Sequence, residues 1–114
     1  MTISIRVRNI EWTGELREKV ERSVAFALDR YDAQVSHVSV YLADLNGPKG
    51  GVDKLCQITA TLRRGKPVMI LEQGSEILPT INRALGRLGH SIGRSIQRSN
   101  RPVADRSRTY EWAA

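Results

Sequence analysis

Between residues 35 and 74 the chain holds three segments in which apolar and polar side chains alternate. In the first, Val38, Val40 and Leu42 share one parity, with Ser39 and Tyr41 between them. A period of two is typical of a strand with one buried face. Three such strands, VSHVSVYLADL, LCQITATLRR and VMILEQ, predict a mainly antiparallel sheet whose apolar face needs a second layer to cover it.

A further strand and a helix precede these segments. Residues 2–10, TISIRVRNI, alternate in the same way. Thr13 then offers an N-cap, and Glu15 and Glu18 lie near the positive end of the helix that follows. Helical spacing continues to Tyr31 and predicts a helix of about 17 residues. The shared apolar side of this helix comprises Leu16, Val20, Val24, Ala27, Leu28 and Tyr31.

A second amphipathic helix closes the pattern. It begins near GSE, where Ser75 can cap it and Pro79 is tolerated in the first turn, and it runs to about residue 99. The resulting order, β-α-β-β-β-α, predicts an α+β two-layer sandwich with a four-stranded sheet and both helices on one face. Residues 1–99 form this domain, and residues 100–114 show no periodicity, so we expect a flexible tail. The apolar side of the second helix comprises Ile77, Ile81, Leu85, Leu88, Ile92 and Ile96.

The positive charge of the chain is concentrated toward its C-terminal third. The formal net charge is +6. Residues 1–74 carry 11 Lys and Arg against 9 acids, whereas residues 75–114 carry 7 against 3, and no acid lies between Glu76 and Asp105. A local excess of this kind favours a polyanionic partner, with nucleic acid ahead of an anionic membrane.

The second helix places this charge on one side. At about 100° per residue its cations fall within an arc of about 80°, opposite the apolar side. Ordinary solvated faces interleave acids with bases, and this one does not, so we favour a phosphate-binding face over a merely solvated one. The candidate residues on this face are Arg83, Arg87, His90, Arg94, Arg98 and Arg101.

Three glycines, Gly86, Gly89 and Gly93, form a separate stripe at one border of this cationic face. Each lowers helix propensity by about 1 kcal/mol relative to alanine, which calls for a compensating reason. Close packing of the two helices is the favoured explanation. The alternatives are close approach of a second copy of the chain or of a nucleic-acid strand.

Sites for catalysis or metal binding are not evident in the sequence. His37, His90 and Cys56 fall on separate elements without paired metal ligands, and Cys56 shares the inward parity of its strand. The glycine-rich GPKGGVDK segment lacks the ending of a phosphate-cradling Walker loop, although Lys49 and Lys54 beside it could contact phosphate. We therefore expect no enzymatic activity, cofactor, metal or small-molecule substrate.

The cysteine count and the N-terminal residues indicate the compartment. One cysteine excludes an intrachain disulfide and is typical of a reducing environment. The opening MTISIRVRN lacks the apolar segment of a signal peptide, and no stretch approaches the roughly 18 apolar residues of a membrane span. We expect a cytoplasmic protein with no membrane partner.

Three stretches resemble the ribosome hibernation-promoting factor family, also called ribosome-associated inhibitor or sigma-54 modulation proteins. They are ISIRVRNIEWT before the first helix, NGPKGGVDKLC between two strands, and SEILPTINRALGRLGHSIGR in the second helix. The resemblance covers roughly residues 2–99 and implies a domain similar to double-stranded RNA-binding domains. By family position, Arg63, Arg64 and Lys66 at a strand turn are implied RNA contacts. Gly86 and Gly89 stand where members are often charged.

The resemblance also implies a function. Members sit in the mRNA and tRNA channel of the small ribosomal subunit and block translation in stationary or stressed cells, through shape and phosphate contacts with ribosomal RNA. We therefore expect a non-enzymatic ribosome-binding inhibitor of the short form, in which weak self-association stays open. The alternative is a diverged module of the same fold that binds another RNA or a protein regulator.

Overall fold

The computed structural model describes residues 1–45 and 53–99. Within them the chain forms four strands, two α-helices and one turn of 3-10 helix. The predicted order β-α-β-β-β-α is confirmed. The elements are β1 (Thr2–Arg8), α1 (Gly14–Leu28), the 3-10 turn (Asp29–Tyr31), β2 (Val35–Asp44), β3 (Lys54–Leu62), β4 (Val68–Gly74) and α2 (Ile77–Ser99).

The strands form one mixed sheet in the order β1-β2-β3-β4. The pairings of β2 with β3 and of β3 with β4 are antiparallel, as predicted. The strand β1 lies parallel to β2, in a register that joins Thr2 to His37 and Arg8 to Ala43. A parallel pair needs a crossover connection, which α1 supplies by carrying the chain back along the sheet.

Both helices cover the same face of the sheet, and the core lies between the two layers. From α1, Val20 and Val24 are fully buried, and from α2, Ile81, Leu88 and Ile92 are fully buried. These are positions of the predicted apolar sides, so the two-layer arrangement is confirmed. The inward-facing residues of the two central strands complete the core, and they are Val38, Val40, Leu42, Cys56, Ile58, Ala60 and Leu62.

The helix starts follow the capping rules with one shift. The hydroxyl of Thr13 accepts a hydrogen bond from the backbone N–H of Leu16 at 3.1 Å, which confirms the predicted N-cap of α1. In α2, Pro79 lies in the first turn as expected. The carbonyl of Glu76 accepts the first helical bond, from the N–H of Thr80 at 3.2 Å, so Glu76 rather than Ser75 directly precedes the helix.

Some predicted features fall outside the described residues. The loop at 46–52 contains Lys49, and the segment at 100–114 contains Arg101 and the expected flexible tail. The helix α2 ends at Ser99, and the division into a domain at 1–99 and a tail at 100–114 stays a prediction.

Candidate nucleic-acid interface

The exposed side of α2 carries the cations that the sequence places there. All five that fall within the described residues are exposed, while the opposite side of the helix is buried. The predicted division into a basic side and a core side is therefore confirmed. These exposed cations are Arg83, Arg87, His90, Arg94 and Arg98.

Two of these arginines lie against the outer edge of the sheet. Arg83 donates a hydrogen bond to the carbonyl of Gln73 at 2.9 Å, and Arg87 donates one to the carbonyl of Leu71 at 3.1 Å. Because β4 is an edge strand, its outward carbonyls have no strand partner. The two guanidinium groups satisfy carbonyls of this edge, so they serve the fold as well as the surface.

The basic side of α2 is not free of acid in space. Glu72 on β4 contacts Arg87 at 2.8 Å and Arg83 at 3.7 Å, through its two carboxylate oxygens. The acid-free sequence of the helix suggested that Arg83 and Arg87 carry uncompensated charge, whereas Glu72 from the neighbouring strand pairs with both. Within residues 1–45 and 53–99, His90, Arg94 and Arg98 form no ion pair, so the uncompensated charge lies in the second half of the helix.

The turn between β3 and β4 lies at that same end. Arg87 reaches β4 two residues before Arg83 does, so α2 runs antiparallel to the strand. Four residues of a helix rise about 6 Å, which is close to the rise of about 6.6 Å for two residues of a strand. At this ratio Arg98, further along α2, lies level with the turn that precedes Val68. The turn residues Arg63, Arg64 and Lys66 are all exposed. We call these three residues and the five α2 cations the basic band.

Lys54 lies apart from the basic band. Its ammonium contacts Asp53 at 3.0 Å and Asp44 at 3.2 Å, and its side chain is 19% exposed. The hydrogen bond to Asp53 is the largest cause of a raised pKa for Lys54, partly opposed by burial. Two carboxylates of the fold therefore already compensate the charge of Lys54.

The three glycines of α2 have different surroundings. A Cβ on Gly93 would lie 2.9 Å from the hydroxyl of Tyr31, and one on Gly89 would lie 4.0 Å from the same ring. Close packing therefore explains Gly93, with Gly89 only at ordinary contact distance. A Cβ on Gly86 would meet nothing within 4 Å. The packing explanation favoured from the sequence does not apply to Gly86.

An interhelical groove, not predicted from the sequence, lies beside Gly86. Arg22 and Phe26 are four residues apart on α1 and so share one face of that helix, and Arg30 follows four residues later in the 3-10 turn. Phe26 is 86% exposed, the highest value among the exposed large apolar side chains of the described residues. The sequence signal that could have indicated this groove is Phe26, an aromatic residue outside the predicted apolar side of the first helix. The groove is lined by Arg22, Ser23, Phe26, Ala27, Asn82, Leu85 and Gly86.

The described residues contain no evident reactive centre. Cys56 is buried, and its burial, with the charge of Glu72, raises the pKa of the thiol to about 12. Within residues 1–45 and 53–99 no group of three or more His, Cys, Asp and Glu side chains could hold a metal ion. Over the same residues, no helix combines the length and apolarity needed to cross a membrane.

Comparison with solved structures defines the class of fold. The structure resembles the Protein Y N-terminal domain of Thermus thermophilus with a TM-score of 0.68 and 28% identity, over 82% of this chain and 98% of that one. It also resembles a ribosomal subunit interface protein from Coxiella burnetii with a TM-score of 0.68, at 14% identity over 82% and 96% of the two chains, which shows the shared fold. The class of fold is therefore the α+β fold of the Protein Y N-terminal domain.

The family follows from the sequence itself. The chain belongs to the family described as sigma 54 modulation protein / S30EA ribosomal protein, whose model matches residues 3–100. No curated protein sequence matches the chain. The family resemblance seen in the sequence is thus confirmed, and the match covers both helices and, apart from Thr2, the four strands of the described fold.

Proposed function

We propose that this protein binds the small ribosomal subunit and inhibits translation, as a non-enzymatic cytoplasmic factor whose basic band contacts ribosomal RNA. The observation that carries the proposal is the pairing of family membership with an exposed row of basic side chains, His90, Arg94 and Arg98, that form no ion pair with described residues. Arginine suits this role because its planar guanidinium binds phosphate through two parallel hydrogen bonds.

The proposed contacts are to phosphates rather than to base edges. The band follows one helix and continues into a strand turn, a surface that can track an RNA backbone. Arg94 and Arg98 supply the strongest contacts, because Arg83 and Arg87 share their charge with Glu72. Lys54 is left out of the interface, since its charge is already compensated.

Sedimentation with purified small ribosomal subunits tests the proposal. The wild-type protein is expected to comigrate with the subunit at low and moderate salt. A double variant, Arg94→Glu with Arg98→Glu, is expected to bind about 10- to 100-fold more weakly, because two phosphate contacts become repulsions.

The matched control reverses the same number of charges elsewhere. Arg6→Glu with Arg8→Glu changes β1 on the sheet face that the helices leave uncovered. This control is expected to bind within about twofold of the wild type, since a contact-specific loss exceeds the effect of net charge alone. Failure of the wild type to comigrate at either salt concentration would reject ribosome binding and favour the alternative, another RNA or a protein regulator.

A further inference from the structure

Gly86 lies where three concave surfaces meet. The interhelical groove, about 430 Å³ in volume, reaches it from the side of Phe26. A second concavity of about 270 Å³ reaches it from Arg30 and His90, and a third of about 440 Å³ from Arg87 and Arg94. Gly86 therefore connects the interhelical groove with the basic band.

The two sides of the groove face each other in order. Arg22 and Phe26 of α1 line it together with Asn82 and Gly86 of α2, and Arg30 lies with His90 in the adjoining concavity. The numbers rise together on both helices, so the helices run parallel along the groove. The exposed ring of Phe26 thus stands opposite the open backbone of Gly86.

The charge around the groove is complementary to an anion. None of the described residues that line the three concavities is acidic, whereas Arg22, Arg30 and Arg94 are cations. Among the described ion pairs none involves Arg22 or Arg30. An apolar peptide would gain no favourable electrostatic interaction from these cationic side chains. A ligand with a flat aromatic part and a phosphate would use both the ring and the cations.

Gly86 leaves the space that such a ligand needs. Apart from the adjacent residues and the backbone of its own helix turn, no atom of the described residues lies within 4 Å of a Cβ built there, so packing does not require a glycine at this position. A glycine inside a helix lowers stability by about 1 kcal/mol relative to alanine. An open glycine next to an exposed aromatic ring allows a ligand to approach the helix backbone.

We propose that the interhelical groove binds an unpaired RNA base, stacked on the ring of Phe26 and seated over Gly86, with its phosphates held by Arg22 and Arg30. This extends the proposed function, on which it rests for RNA as the ligand. It adds a contact that phosphate binding along the basic band does not supply. Stacking on an aromatic side chain requires a base outside a duplex, so the protein discriminates unpaired from paired RNA.

The test measures binding of two RNA probes to the full-length protein by fluorescence anisotropy at low salt. One probe is a single-stranded adenosine decamer carrying one 2-aminopurine, and the other is a ten-base-pair RNA duplex with one 2-aminopurine in one strand. The wild type is expected to prefer the single strand and to quench the 2-aminopurine. Phe26→Ala is expected to weaken single-strand binding about 5- to 100-fold, the size of one lost stacking contact, and to leave duplex binding within about twofold.

Substitutions at the same two positions separate stacking from other effects. Phe26→Tyr keeps a ring and should retain single-strand affinity, whereas Phe26→Leu keeps an apolar side chain and should lose it. Gly86→Leu fills the groove and should weaken single-strand binding. Gly86→Ala should raise the urea midpoint while it weakens that binding, opposite signs that loss of fold cannot produce.

The matched controls lie outside the groove. Leu71→Ala removes another exposed apolar side chain, on the uncovered sheet face, and should change neither affinity. Arg94→Glu should weaken both probes alike. Equal affinities of the wild type for both probes, no measurable binding of either, or full retention of single-strand binding by Phe26→Leu would each overturn the proposal. Because no ribosome is present, failed comigration with small subunits rejects the proposed function separately.

Discussion

Cys56 shows how burial sets the chemistry of a single side chain. The thiol is 1% exposed, and burial together with the charge of Glu72 raises its pKa to about 12. At pH 8 the folded protein therefore holds a protonated thiol, and we expect no reaction with Ellman's reagent until urea unfolds the chain. One equivalent released from the native protein on mixing would contradict this.

The same thiol makes stability depend on alkaline pH. An exposed cysteine has a pKa of about 8.5, below the folded value, so the unfolded state loses its proton first. The contribution of Cys56 to stability is therefore complete below about pH 8.5 and declines as the pH rises toward about 12. The inward parity of Cys56 in an alternating strand was enough to predict its burial from sequence.

Single glycines were harder to interpret than the cysteine. Spacing placed Gly86 and Gly93 on one stripe and suggested one reason for both. The structure separates them, because Tyr31 reaches Gly93 but not Gly86. The position of Tyr31 depends on the 3-10 turn after α1. Residue spacing along the sequence does not predict where a side chain in such a turn will lie.

At the scale of elements, α2 and β4 share their charges across the edge of the sheet. Glu72 compensates part of the charge of Arg87 at 2.8 Å and of Arg83 at 3.7 Å. We expect Glu72→Gln to strengthen binding to small ribosomal subunits about two- to fivefold, because it frees these guanidinium groups for phosphate.

The stability of the Glu72→Gln variant should fall by no more than about 1 kcal/mol, since both arginines are more than half exposed and solvent screens the pair. Sedimentation gives the affinity and urea unfolding the stability. Glu72→Asp, which keeps the charge, is the control. Unchanged or weaker binding by the glutamine variant would show that these arginines take no part in the interface.

Local sequence patterns predicted the strands and helices, but they predicted the pairing of the strands only in part. Two periods, about 2 and about 3.6, predicted the four strands and both α-helices of the described fold, although α1 ends at Leu28 and a 3-10 turn takes the predicted helical path to Tyr31. The parallel pairing of β1 with β2 was not predicted, because alternation marks which face a strand buries and not which neighbour it joins. The ion pairs of Glu72 with α2 were not predicted for the same reason, since Glu72 lies on β4 and contacts the helix only in three dimensions.

At the scale of the whole molecule, binding should depend steeply on salt. Each phosphate neutralised by a cation contributes a slope of roughly −0.7 to −0.9 to a plot of log affinity against log salt. The double change of Arg94 and Arg98 to glutamate should therefore reduce the magnitude of the slope by at least about 1.5. Sedimentation across several salt concentrations measures it, and a slope equal to that of the wild type would exclude phosphate contacts at both positions.

The parallel pairing of β1 also bears on how the chain folds as it is synthesised. β1 leaves the ribosomal tunnel before β2, and Thr2 must wait for His37 before its strand can join the sheet. Pairings between residues far apart in sequence form slowly, because the entropy cost of closing a long loop comes before the pairing stabilises the chain. Until then the strand exposes its isoleucines and an unpaired backbone. Arg6 and Arg8 alternate with those apolar side chains, and charged side chains on an unpaired strand oppose edge-to-edge aggregation.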